Sequence, residues 1–228
     1  MTSRATNVVR HLLGRRVFPL SLGMLAFWAA GCSMPMTVTY SPIAAAEAIG
    51  GDQAKLRVYV VRFADDRQNK ESVGSLKNAF GGEVKKLVTS DDLGMILAEA
   101  TTDALRKGGM TAELHSDATI GSSLSKEQAG ADLIVGGKIR TIEVTSQPGW
   151  DTVKITSRVI IDVCIRKGGK DEWVGPIEGT SERREISIVQ SSTFTSALDA
   201  AIQNCMRNMV RHLKSSGAFQ ATAAATKQ

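Results

Sequence analysis

The chain has 228 residues, with 28 Lys and Arg against 23 Asp and Glu, a formal charge of +5 and 43% hydrophobic residues. That length buries a core without help from disulfides or a bound metal. Aromatic residues make up only 5%, which excludes a base-stacking platform, so no nucleic-acid partner is expected.

Arg4, Arg10, Arg15 and Arg16 precede an apolar run from Val17 to Ala30, matching the charged and hydrophobic regions of an export signal. The run is shorter than the ~20 residues that a membrane-spanning helix needs. Small residues then lead to a cysteine in the string Ala29-Ala30-Gly31-Cys32, where a signal peptidase must thread the backbone past its catalytic groups. This string resembles the lipobox of bacterial lipoproteins. The resemblance implies removal of residues 1–31 and a thioether-linked diacylglycerol on the sulfur of Cys32. Losing four arginines from 28 basic residues leaves 24 against 23 acidic ones, so the mature charge is +1. Arg15-Arg16-Val17-Phe18 also resembles a twin-arginine export motif, but Gly14 and Pro19 depart from that pattern. An ordinary export signal with two arginines in its basic region is the preferred reading. Ser33, rather than aspartate, follows the cysteine, which by analogy with the enterobacterial sorting rule implies outer-membrane delivery.

Residues 32–54 mix Pro, Ser, Thr, Ala and Gly, and are expected to form a lipidated flexible tether. The folded domain spans 55–216. LRVYVVRF, from Leu56, reads as a buried strand. Residues 64–89 carry charges and several glycines, forming either a long loop or a loose hairpin. Ser90 is expected to cap a helix with Asp91 and Asp92 in its first turn. Its apolar face holds Leu93, Ile96, Leu97, Ala100, Ala104 and Leu105, and Gly108-Gly109 stops it. A strand at Thr111–His115 follows, and Ser125 caps a short helix through Lys126 to Gly130.

From Ala131 the sequence reads as a strand interrupted at Gly136-Gly137, and residues 147–150 as a turn. Thr152 to Arg166 returns as a strand, Gly168-Gly169 makes a hairpin, and Glu172 to Ile188 forms a strand bent or ended near Pro176. The last helix runs from Thr193 to Lys214, with Phe194, Leu198, Ala201, Ile202, Cys205, Met209 and Leu213 inward. Arg207, Arg211, His212 and Lys214 sit toward its C-terminal end. Residues 217–228 are expected to be a disordered tail. The fold class is therefore α/β (α+β), a single two-layer domain. A mixed sheet with an antiparallel meander carries two main helices on one face.

Cys164 falls on the polar face of its strand and Cys205 on the apolar stripe of its helix, so two buried thiols are expected in place of a disulfide. His115 and His212 are the only histidines of the domain. No GxSxG elbow, HExxH helix, CxxC pair or Walker-type loop accompanies them, so no cofactor, metal or catalytic residue is assigned. Asp65-Asp66-Arg67 follows the first strand, at the sheet end where ligands collect. Its carboxylates either bind a cation or, more simply, pair with Arg67, Arg62 and Lys70. Phe80 either contacts a partner or lipid, or plugs the edge of the core.

The segment VYVVRFADDRQNKESVGSLKNAFGGEVKKLVTSDDLGMILAEATTDALRKGG, with Val73-Gly74, Lys77-Asn78 and Phe80-Gly81 inside it, is similar to the YajG-like family of bacterial lipoproteins. Weaker similarity continues through Ala131-Asp132-Leu133 and Gly137-Lys138-Ile139, a pattern shared with envelope domains related to the TolB N-terminal region and CsgG. The resemblance implies an α/β envelope lipoprotein and supplies no catalytic residue. The combined reading is a non-enzymatic lipoprotein, anchored in the outer membrane and facing the periplasm, that binds an envelope protein or supports envelope assembly. Asp65, Asp66, Arg67, Lys77 and Phe80 are the candidate contacts. A carrier for lipid or another apolar ligand is the alternative, and a hydrolase using His115 with loop carboxylates ranks below it. Homo-oligomerisation is left open.

Overall fold

A computed structural model of the protein describes residues 33–49, 56–120, 131–186 and 190–215. In chain order, the elements are β1 (Ser33–Pro35), β2 (Arg57–Arg62), β3 (Ala64–Asp65), β4 (Gly74–Lys77), β5 (Glu83–Val88) and α1 (Leu93–Lys107). They continue with β6 (Thr111–Thr119), β7 (Leu133–Pro148), β8 (Val153–Lys167), β9 (Lys170–Glu185) and α2 (Ser191–Ser215). The expected short helix near Ser125, the end of the last strand at Ile188, residues 1–31 and the tail 217–228 lie outside the described residues. Among the described residues no helix is long and apolar enough to cross a membrane.

The architecture is a large mixed sheet with two helices, as the strand and helix patterns predict. β7, β8 and β9 form an antiparallel meander. The other edge of β7 is shared out along its length. Val58–Val60 of β2 run parallel to Leu133–Val135, Ala64–Asp65 of β3 to Lys138–Ile139, and Gly74–Leu76 of β4 to Val144–Ser146. One wing continues from β2 to β6, the other from β4 through β5 to β1. The segment 64–89 thus resolves the loop-or-hairpin alternative as a β4–β5 hairpin.

Alternation along β8 buries Ile155, Val159, Ile161, Val163 and Ile165 on the face that meets the helices. α2 lays Phe194, Leu198, Ala201, Ile202, Cys205, Met209 and Leu213 into the same core, and α1 adds Leu93, Leu97, Ala100, Ala104 and Leu105. The helix backbone comes close to the sheet at Gly179, where an added Cβ would lie 2.2 Å from the Cys205 amide nitrogen. A side chain there would push α2 off β9.

Gly136-Gly137 does not interrupt β7. Both pair with β8, and the register slips instead between Ile139 and Thr141. The glycines answer a need for close approach, since a Cβ on Gly137 would lie 2.0 Å from the Asp162 carbonyl oxygen. In β9 the irregularity does fall at the expected place: Asp162 pairs with Pro176 and Val163 with Val174, leaving Gly175 as the extra residue of a bulge.

Two further expectations fail. Asp92 caps α1, accepting from the Met95 amide at 3.1 Å, and its first turn holds no acidic residue. Asp91 instead accepts from the Val38 amide at 2.6 Å and the Thr89 hydroxyl at 2.8 Å. That bond belongs to the second correction, because residues 33–49 are not a free tether. Ser33–Pro35 pair with β5, and Met36, Val38, Ile43 and Ile49 are buried in the main core. The physical reason is an alternation at Met34, Met36, Val38 and Tyr40 that places every second residue inward. Tyr40 donates to Asp103 at 2.8 Å and its oxygen accepts from the Ile43 amide at 3.1 Å. Burial, then the Asp103 carboxylate, raises its hydroxyl pKa above the ordinary tyrosine value. The Ile49 amide donates to the Gly108 carbonyl at 2.7 Å, and Arg211 of α2 reaches Glu47 at 3.0 Å.

Ile43→Ala is therefore expected to cost about 2–5 kcal/mol of stability, as for other buried aliphatic truncations. The check is urea unfolding of the mature protein. A side chain on a free tether would change nothing.

Candidate functional site

The sheet loosens at the end of β2. Its pairing with β7 stops at Val60, and its partner in β6 jumps from His115, opposite Val61, to Thr119, opposite Arg62. Parallel strands that part at their carboxyl ends leave a crevice, the usual place for ligands in such sheets. The resulting cleft of about 490 Å³ is bordered by Arg62, Asp65, Arg67, Lys70, Thr119 and the N-terminus of α1.

Within it, Asp65 and Arg67 form a two-pronged pair. Arg67 Nε donates to Asp65 Oδ1 at 2.9 Å and Nη2 to Oδ2 at 3.0 Å, while the Arg67 amide donates to Oδ1 at 3.2 Å. The remaining guanidinium donors reach the Ser72 carbonyl at 2.9 Å and the Lys70 carbonyl at 3.4 Å. Arg67 is buried, only 7% exposed, and holds the turn from 67 to 72 onto the sheet. Burial works against the Asp65 charge, but the Arg67 donors and charge outweigh it and hold the carboxyl below the usual carboxylate range.

Asp66 turns elsewhere. Arg140 donates to it through Nη1 at 2.5 Å, and through Nε to Asp162 Oδ2 at 2.6 Å. Arg62 pairs with Asp92 at 3.0 Å. The acidic pair therefore forms local ion pairs, though with a different partner for Asp66 than its neighbours in sequence. Among the described residues no three His, Cys, Asp or Glu side chains converge in a metal-holding group.

A larger groove of about 920 Å³ lies where residues 35–41 cross the loop before α1 and the start of α2. Hydroxyls from Thr37, Thr39, Ser41, Ser90, Ser192 and Thr195 wall it. Its carboxylates are also engaged: Asp91 by Val38 and Thr89, Asp199 by the Ser41 amide at 2.7 Å and Gln203 at 3.2 Å. This groove is the seam that ties the N-terminal segment to the helices.

Lys77 and Phe80 stand apart from the Asp65 cleft. Asp65 is level with Ile139 of β7 and Leu76 with Ser146, a separation of about 20 Å along the strand. Phe80 is 98% exposed in the β4–β5 turn, so it plugs no core edge. The five candidate contacts are thus two groups, not one surface.

His115 stacks on Tyr59 with ring centroids 4.1 Å apart, and its Nε2 is 4.0 Å from Glu113. It borders neither cleft, so the structure does not bring it together with the loop carboxylates. His212 lies in the last turn of α2. Cys164 and Cys205 are free and buried. Cys205 belongs to the helix-side core, whereas Cys164 pairs across with Trp173 on the other face. Burial pushes their thiols up to about 12 and about 11 respectively, far from the thiolate range. The Arg140 bridge was not anticipated from the sequence. Its only signal there is the outward alternation of β7 and β8, which faces charged residues toward one another.

No protein-family model matches the chain, and no curated protein sequence matches it. Among solved structures, it is similar to protein XCC0632 from Xanthomonas campestris, of family DUF330, with a TM-score of 0.51 and 12% identity. That alignment covers 82% of this chain and 99% of the other. A PelC dodecamer subunit from Paraburkholderia phytofirmans aligns at a TM-score of 0.37 and 14% identity over 72% and 94% of the two chains. A candidate lipoprotein from Caulobacter crescentus gives 0.31 and 12% over 70% and 96%. The first of these shows a shared fold; the other two are looser alignments and carry no weight.

Arg67→Ala removes the guanidinium donors of Asp65, leaving it the backbone amide alone, and is expected to cost about 1–3 kcal/mol. Because the Asp65 pKa is lowered in the fold, its contribution is complete above the unfolded carboxyl value and is lost as pH falls through the folded one. Urea midpoints measured from pH 7 down to about pH 3 should decline more gently for Arg67→Ala than for the parent chain. Parallel declines would remove the pair from the account.

Proposed function

We propose that the protein is a non-enzymatic lipoprotein of the bacterial cell envelope, held in the outer membrane by lipid on Cys32 and facing the periplasm, where it binds another envelope protein. The observation that carries this reading is the string Ala29-Ala30-Gly31-Cys32 directly ahead of a body that folds from Ser33. A single acyl chain holds a protein only marginally, and the several chains of a mature lipoprotein make anchoring durable. The similarity to YajG-like lipoproteins supports the same reading, as does Ser33 for outer-membrane sorting.

The Asp65 cleft is the proposed partner site. Asp65 is already paired with Arg67 and Arg62 with Asp92, which suits a preorganised rim for docking better than proton transfer. Asn69, Lys70 and Glu71 project from the turn that Arg67 pins, and all three are exposed. An apolar cargo finds less support, since the larger groove is open and mixes hydroxyls with Pro35, Met36 and Val88.

A photo-crosslinker at Lys70 in intact cells should yield one discrete adduct, and the same group at Lys107, exposed at the far end of α1, should not. Recovery of monomer alone from Lys70, or identical adducts from both positions, would contradict the proposed site.

A further inference from the structure

Large apolar side chains left fully in water are uncommon, and when several share one end of a molecule they mark an interaction surface. Phe80 is 98% exposed, Trp150 is fully exposed and Ile186 is 87% exposed. The strand registers bring all three together. Leu76 is level with Ser146, Pro148 with Val153, and Val153 with Glu185. The β4–β5 turn, the β7–β8 turn and the end of β9 therefore lie side by side at one end of the sheet. Val84, half-exposed, is beside them at the start of β5.

Both aromatic residues are presented by hydrogen-bonded turns. Asn78 Oδ1 accepts from the amides of Phe80 at 3.0 Å and Gly82 at 2.9 Å, while the Asn78 amide donates to the Gly82 carbonyl at 2.8 Å. The Gly149 amide donates to the Thr152 carbonyl at 2.7 Å, closing the turn that carries Trp150. Lys77, Lys85 and Lys86 flank this end and have no ion-pair partner among the described residues.

The chain entry selects the occupant. β1 runs parallel to β5, and Ser33 lies opposite Lys86, about 10 Å of strand from the Glu83 end. Residue 32 is bonded directly to Ser33, with no slack between them. β1 thus enters the sheet at Ser33 from the end that carries Phe80, Trp150 and Ile186, the end toward which a lipid on the preceding residue would be tethered. Aromatic residues with flanking lysines suit the interfacial layer of a bilayer, where rings lie at headgroup level and ammonium groups meet phosphate.

We propose that the end of the sheet formed by Phe80, Trp150 and Ile186, flanked on its β4–β5 side by Lys77, Lys85 and Lys86, seats on the phospholipid bilayer that holds the N-terminal lipid. The choice of that membrane rests on Cys32 being the lipidated residue; the seat itself rests on exposure and register. The domain then stands with these three turns in the headgroup layer, as a second attachment beside the acyl chains.

Once residues 1–31 are removed, Trp150 and Trp173 are the only tryptophans. Trp173 is half-exposed beneath Lys138 on β9, so Trp173→Phe makes Trp150 the sole reporter. The purified membrane form of that variant is placed in phosphatidylethanolamine–phosphatidylglycerol vesicles with or without acyl-brominated lipid, and intact mass establishes acylation separately. The expected result is a blue-shifted Trp150 emission that loses intensity in brominated vesicles. Replacing Lys77, Lys85 and Lys86 by Gln should reduce that loss. Acylated protein whose Trp150 emission is unquenched overturns the seat and leaves the anchor intact, and a blue shift without bromine quenching does the same by indicating a protein cover. A bare cysteine with quenched Trp150 supports the seat and contradicts the anchor.

Discussion

The sixteen residues of β7 are the constraint on which the rest depends. One edge is consumed by β8 from end to end, and the other must serve β2, β3 and β4 in succession. No single strand pairs with that second edge throughout, so the sheet divides into two wings. The cleft at Arg62 and Asp65 is the space left at the division. The same register fixes which turns meet at the far end, and hence which side chains emerge together.

The two faces of the meander do different work. Toward the helices, β8 is apolar, and Gly179 lets α2 lie close on β9. Away from them, opposite charges face each other across neighbouring strands: Lys154 with Glu182 at 2.9 Å, Arg158 with Glu178 at 2.7 Å, Arg166 with Asp171, and Arg140 with both Asp162 and Asp66. Exposed pairs of this kind add little stability individually. Their value is in register, because sliding a strand by one residue would separate these partners and turn the apolar set outward. A face so thoroughly paired is poorly suited to bind a charged ligand, which makes the two ends of the sheet the more informative surfaces.

The helix stripes, the meander, the bulge near Pro176 and the opposite faces of Cys164 and Cys205 were legible because each follows from local periodicity. What escaped was non-local or locally ambiguous. Ser90, Asp91 and Asp92 are three consecutive cap-forming residues, and the choice among them depends on Val38, which claims Asp91 from 53 positions away. The alternation Met34, Met36, Val38, Tyr40 was present but obscured by Pro35 and by threonines that also suit linkers. Asp66 was expected to find a neighbour in sequence, but its partner Arg140 is 74 residues away. The candidate contacts 65–67 and 77–80 looked like one loop because sequence proximity hides the distance that β7 puts between Ile139 and Ser146. The shared fold with the Xanthomonas protein agrees with the predicted class and says nothing of the site.

With lipid on Cys32, as proposed, a body that already folds at Ser33 would have little freedom to reorient above a membrane. That is the central claim, and hydrogen exchange tests it directly at two amides: Met36, which donates to the Val88 carbonyl at 2.9 Å, and Ile49, which donates to the Gly108 carbonyl at 2.7 Å. In the mature protein both should exchange as slowly as amides of the β7–β8 ladder, opening only with the fold. Exchange at the rate of an unprotected chain would return residues 33–49 to a free tether and take away the fixed orientation.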